Sequence, residues 1–132
     1  QRIMPSLFSK IVAGEIPCHR IAENEHFLAF LDIMPLAEGH VLVIPKDEVD
    51  YFFDLDDQAL SSITLFARDI AKKIEKVIPC KRVGMAIIGL EVPHAHIHLI
   101  PLQTVSDINF ERPKLKVTAE QLRATADKIN GA

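Results

Sequence analysis

Pro93-His94-Ala95-His96-Ile97-His98-Leu99-Ile100-Pro101 is the stretch whose reading decides the fold. Histidine alternates with Ala95, Ile97 and Leu99, the period of a β-strand, in which successive side chains point to opposite faces. A strand over His94–Ile100 would turn the apolar residues to a core. All three imidazoles would then share the other face, about 6.5–7 Å apart. A helix would spread the same residues around its cylinder. The alternation therefore predicts the geometry, and the geometry gathers the chemistry on one face.

The surrounding chain supplies partners for such a strand. Val41–Ile44 is an apolar, β-branched run closed by Pro45, which reads as a buried strand. Shorter strands are expected at His19–Ala22, Phe27–Leu31 and Val83–Ile88. One long helix opens at Asp56 or Asp57 and ends before Pro79. Its residues Leu60, Ile63, Ala67, Ile70, Ile74 and Val77 form a single apolar stripe. Ser6 caps a short helix carrying Leu7, Phe8, Ile11 and Val12, and Gly14 stops it. Thr118 and Gln121 match a capping box ahead of Leu122, Ala126 and Ile129. Strands grouped around one long helix predict an α+β fold with a mostly antiparallel sheet.

At 132 residues, 48% hydrophobic and 25% charged, the chain is expected to form one domain over residues 1–132. No repeat or linker divides it. Acids and bases are interspersed around a net charge of −3, with no basic block to bind nucleic acid. No apolar run approaches the roughly 20 residues that span a bilayer. The N-terminus lacks a secretory layout, and Cys18 and Cys80 read as separate, buried, reduced thiols, so a cytoplasmic protein is expected. Gln1–Ile3 precede Met4, as residues added ahead of a start methionine would.

Three readings of the histidine row stay open on the residues alone. A solvent-facing strand could merely tolerate histidine. Three imidazoles with an open position could hold a catalytic metal. Or one neutral imidazole could attack phosphorus, with one ring nitrogen held as a donor so that the other presents its lone pair. Flanking imidazoles would then donate to the phosphate oxygens, and no metal would be needed.

The row resembles the His-x-His-x-His signature of the histidine-triad (HIT) superfamily. Leu7-Phe8-Ser9-Lys10-Ile11, Gly14-Glu15-Ile16-Pro17, Ala29-Phe30-Leu31-Asp32-Ile33 and Gly39-His40-Val41-Leu42-Val43-Ile44-Pro45-Lys46 resemble its nucleotide-binding branch in order and spacing. The resemblance covers about residues 6–101, leaving a C-terminal helical extension at about 118–130. It implies a HIT-like α+β fold and a purine nucleotide or nucleotide conjugate as substrate, with no cofactor. By the same resemblance His96 is the nucleophile forming a nucleotidyl-histidine, His94 and His98 contact phosphate or orient the site, and His40 is a fourth catalytic-site histidine. Asp32 would hold the ribose hydroxyls. Phe8, Ile11, Ile16, Ile33 and Leu42 would line the base pocket, with Gly89 in the loop before the triad. For the apolar residues, plain core packing is an equal reading.

His98 stands where the transferase branch has glutamine, which implies water as the acceptor. Substrates of the family run from phosphoramidates and aminoacyl adenylates to dinucleoside polyphosphates. The resemblance also implies a homodimer, paired through the long helix and the Val83–Ile88 strand. There are two departures. Ser6 and Ser9 occupy the positions of a zinc-binding Cys-x-x-Cys in many bacterial relatives, so no structural metal is expected. The loop Gly89-Leu90-Glu91-Val92-Pro93 is short and lacks the Asn, Gln and Ser/Thr donors of relatives. Glu91, at a hydroxyl position, is expected to turn outward, with slow phosphoramidate hydrolysis as the consequence. A nucleotide-binding protein with little turnover is the principal rival reading, and a histidine-ligated metalloenzyme the third.

Overall fold

The apolar runs pair into five strands. The computed structural model describes residues 5–132, so the additions expected at Gln1–Ile3 lie outside the described residues. In chain order the elements are helix α1 (Leu7–Val12), strands β1 (Arg20–Glu23), β2 (Phe27–Leu31) and β3 (Val41–Pro45), helix α2 (Asp57–Val77), strands β4 (Arg82–Ala86) and β5 (Ile97–Leu102), and helix α3 (Ala119–Asn130). Short 3₁₀ turns occupy Phe52–Asp54 and Val105–Ile108. The sheet order is β1-β2-β3-β5-β4, and every neighbouring pair is antiparallel. The α+β expectation holds.

Alternation assigns the two faces of the sheet. Phe27, Ala29, Leu31, Val41, Val43, Ile97 and Leu99 pack with Ile63, Ala67, Ile70 and Ile74 of α2 and with Leu122, Ala126 and Ile129 of α3. Leu28, Phe30, Leu42 and Ile44 meet Phe8 of α1 on the other face. The caps form as the sequence predicts. Asp56 accepts from the Ala59 N–H at 2.8 Å. Thr118 and Gln121 make both capping-box bonds, at 3.1 and 2.9 Å.

Strand boundaries differ from the expected ones by a residue or two in several places and by more at the start of β5. β5 begins at Ile97, not His94. The Ala95 N–H is taken by the Val49 carbonyl and the His94 N–H by Val92, so the chain enters the sheet only after His96. β4 ends at Ala86, whose partner is His98, two residues short of the expected Ile88. Cys18 and Cys80 are free but half-buried, not fully buried as expected. Among the described residues no helix is long and apolar enough to cross a membrane.

Candidate functional site

The β3–β5 register creates the site. Leu42 lies opposite His98, so the His98 ring falls on the α1 side of the sheet, away from the main core. His40 stands just before β3 and reaches His98: its Nε2 lies 2.9 Å from His98 Nδ1. The Leu36 N–H donates to His40 Nδ1 at 3.0 Å. A neutral imidazole carries one proton, so His40 holds it on Nε2 and donates to His98. His98 Nδ1 is therefore the acceptor, and His98 carries its own proton on Nε2.

Burial keeps both rings neutral. Desolvation, then the charge of Lys114, lowers the pKa of His40 to about 4. Desolvation, then His40, His96 and Lys114, lowers that of His98 to about 3. The 3.6 Å approach of His40 Nε2 to Asp32 is therefore not an ion pair, and the shorter bond to His98 takes the proton. Asp32 accepts from the Met34 N–H at 2.9 Å, and burial raises its pKa despite that bond.

His96 is fixed in the opposite tautomer. Its Nδ1 lies 2.6 Å from the His94 carbonyl oxygen, which can only accept. The proton is on Nδ1, and Nε2 carries a lone pair. The His96 ring meets the His98 ring at 4.9 Å between centroids and the edge of Phe8 at 5.1 Å. The ring with the lone-pair nitrogen thus packs against the ring with the N–H donor.

Of the two parts expected of His94, contacting phosphate or orienting the site, its geometry suits the second. The three imidazoles were predicted to form one row able to meet a phosphate or a metal. Instead His94 is fully buried beneath α1, with both ring nitrogens engaged. Its Nε2–H donates to the Pro45 carbonyl at 2.8 Å, and its Nδ1 accepts from the Ser6 hydroxyl at 2.8 Å. Ser6 Oγ also accepts the Ser9 N–H that caps α1. Glu48 accepts from the Ser6 N–H and the Ser9 hydroxyl, each at 2.6 Å. His94 bears on the site through its carbonyl, not its ring.

Of the apolar candidates, Phe8, Ile11 and Leu42 share one cluster. Ile33 follows Asp32 but is 65% exposed, and Ile16 is half-buried outside that cluster. Gly89 is exposed with φ +74°, and a Cβ there would meet nothing, so its requirement is conformational. Glu91 is exposed, as expected. A cavity of about 350 Å³ lies between α3 and the β2–β3 connection. Asp32 and His40 line it from behind, but none of the triad histidines does. The ring-nitrogen geometry, not this cavity, locates the chemistry.

The C-terminal segment was silent in sequence, yet it covers the histidines. The Phe110 ring lies 4.6 Å from the His98 ring and 6.2 Å from that of His40. Lys114 Nζ donates to the Phe110 carbonyl at 2.6 Å. A lone aromatic in a polar stretch was the only signal. Ser6, Ser9 and Glu48 were equally missed as partners of His94, because Ser6 read only as a cap.

A metal could be held in principle by Asp32, His40 and His98, whose ligand atoms lie within 4.8 Å of one another. The Leu36 N–H on His40 Nδ1 opposes this, since it obliges Nε2 to carry a proton where a ligand needs a lone pair.

An antiparallel α+β sheet presenting two neutral imidazoles in opposite tautomers defines the class of protein. A family model for the HIT domain matches residues 13–105, and the chain belongs to that family. The adenosine 5′-monophosphoramidase of Schizosaccharomyces pombe is 32% identical over 133 residues, covering 96% of this chain and 97% of that protein. A Hit-like protein from Bartonella henselae has a similar structure, with TM-score 0.83 and 30% identity over 96% of this chain and 95% of that one. A Zn-bound histidine triad family protein from Mycobacterium smegmatis matches with TM-score 0.74 and 28% identity over 95% of each chain. The Ser6–Ser9–Glu48–His94 cluster does not fit zinc. Its hydroxyls are poor ligands, and His94 Nδ1 already accepts the Ser6 proton.

The neutral histidines set an acid limit on stability. Above about pH 6.5, the ordinary histidine value, folded and unfolded chains hold the same protons at these two sites. As pH falls below it the unfolded chain protonates, while folded His40 resists to about 4 and His98 to about 3. Stability is therefore lost progressively below pH 6.5. Urea midpoints from pH 7.5 to 5 should fall for the wild type and fall less for His98→Gln. Equal slopes would mean that His98 is not held neutral.

Proposed function

We propose that the protein is a nucleotide hydrolase that cleaves at the α-phosphorus through a covalent nucleotidyl-His96. One observation carries this reading: His96 Nδ1–H is committed to the His94 carbonyl, leaving the Nε2 lone pair beside the His98 N–H. Nε2 attacks phosphorus, the leaving group departs with the electron pair of its bond and takes a proton from water, and positive charge on the imidazole spreads onto the hydrogen bond to His94. His98 Nε2–H donates to a non-bridging oxygen as its charge develops. Water then attacks the nucleotidyl-histidine, releasing a nucleoside monophosphate and restoring the lone pair. Asp32 binds the ribose hydroxyls, and Phe8, Ile11 and Leu42 pack against a purine. Hydrolysis of a phosphorus–nitrogen bond is supported by the name of the S. pombe relative.

A second reading, nucleotide binding with little turnover, draws on the short loop before the triad, whose Glu91 is exposed. Adenosine 5′-phosphoramidate and a diadenosine polyphosphate, each offered with and without chelator, separate the two. Turnover that survives chelation supports the hydrolase, and binding without turnover supports the second reading. His96→Ala should lower kcat by about 1,000-fold or more with nucleotide affinity largely kept, because the side chain forms the new bond. Wild-type turnover in that variant would remove His96 as nucleophile.

We also propose a cytoplasmic homodimer. The unpaired thiols suit a reducing compartment. β4 is an edge strand, and Met85, Ile87, Ile88 and Leu90 on and beyond it are exposed, as is Leu65 of α2. An uncovered apolar edge invites pairing. Sedimentation at micromolar concentration should show twice 14.8 kDa; a 14.8 kDa monomer would refute the dimer.

A further inference from the structure

The site as described lacks a positive charge. His40 and His98 are neutral near pH 7, and the Gly89–Pro93 loop brings no cationic or amide side chain. Bonds to phosphate are strongest from charged donors. Segment 103–117 places one beside the histidines.

This segment is held at several points. The Gln103 and Thr104 N–H groups donate to the Asp107 carboxylate at 2.7 and 2.9 Å. Arg112 reaches the Ser106 carbonyl at 2.9 Å and Asp107 at 3.3 Å. The Leu115 N–H donates to the Pro35 carbonyl at 2.8 Å, tying the far end to the β2–β3 connection beside Asp32 and His40. Between these anchors Phe110 lies against His98 and His40. The half-buried Lys114 folds back over the Phe110 ring, with Nζ 6.0 Å from its centroid. Two carbonyls, Phe110 at 2.6 Å and Arg112 at 3.5 Å, orient the ammonium. Its third N–H is left for a ligand. Its charge acts on Asp32, His40 and His98.

We propose that Lys114, presented by segment 103–117 across Phe110, is a specificity-determining residue that binds the phosphate next to the α-phosphate and so favours nucleotides whose leaving group is itself anionic. The proposal rests on the reading of His96 and His98 as the α-phosphate site. Geometry supports it on two counts. Phe110 packs on His98, and the ammonium lies 6.0 Å from the centre of the Phe110 ring, within electrostatic reach of Asp32, His40 and His98. The ammonium is also fixed in advance, so little side-chain freedom is lost when it binds.

The test is nucleotide binding, which needs no turnover. Affinities of AMP and ADP are measured by calorimetry for the wild type, Lys114→Gln and Lys114→Arg, with melting temperature as a check on folding. The wild type should prefer ADP over AMP by about tenfold, Lys114→Gln should narrow that preference to within about threefold, and Lys114→Arg should keep most of it. An unchanged preference in Lys114→Gln, or no preference in the wild type, overturns the proposal while leaving the site reading intact. Failure of the wild type to bind either nucleotide at millimolar concentration overturns both. Should Lys114→Gln fail to fold, loss of the preference in Lys114→Arg overturns the proposal and its retention supports it, since only charge is conserved there.

Discussion

The account depends on the hydrogen bond from His96 Nδ1 to the backbone carbonyl of His94. A neutral imidazole has one proton and two nitrogens, so fixing the proton on one side decides what the other can do. The carbonyl can only accept, and its residue is immobilised through the rest of its own bonds. His94 is locked by the Pro45 carbonyl at one nitrogen and the Ser6 hydroxyl at the other. A second run of bonds, from the Leu36 N–H through His40 to His98, fixes the opposite tautomer on the neighbouring ring. Backbone groups at the two ends thus set a lone pair and a donor side by side.

Burial makes this arrangement dependable. Were His98 to protonate, its Nδ1 could no longer accept from His40; were His40 to protonate, its Nδ1 could no longer accept from the Leu36 N–H. Desolvation excludes the charged form well below neutral pH. The cost is a site in which the buried rings of His40 and His98 carry no charge. Segment 103–117 answers that deficit with an ammonium held by backbone carbonyls. The N-terminal helix is bound into the same structure, because Ser6 both caps α1 and holds His94. Glu48 ties the two serines together where a metal would otherwise be expected to do so.

Most of the fold was legible because periodicity and capping are local. The stripe Ile63, Ala67, Ile70 and Ile74 is the buried face of α2, and Thr118 with Gln121 caps α3 as expected. The alternation at Ala95, Ile97 and Leu99 assigned those residues correctly to the main core. It misled about where β5 begins, since bonds from the backbone before His96 to the Val49 and Val92 carbonyls leave no trace in residue pattern. His40 and Asp32 were found through family resemblance, and the structure brings both beside His98. Ile33 was carried over in the same way but is exposed in this chain. Phe110 and Lys114 were illegible because their place depends on a long, irregular segment anchored by Asp107 and Pro35, whose contacts follow no period.

The central claim is a distribution of protons among three rings, and nitrogen-15 NMR of the histidine side chains reads it directly. At pH 7.5, with each ring assigned by single substitution, His96 should be the Nδ1–H tautomer, and His40 and His98 should both be Nε2–H. His96 found as Nε2–H, or His98 found as Nδ1–H or doubly protonated, would contradict the account.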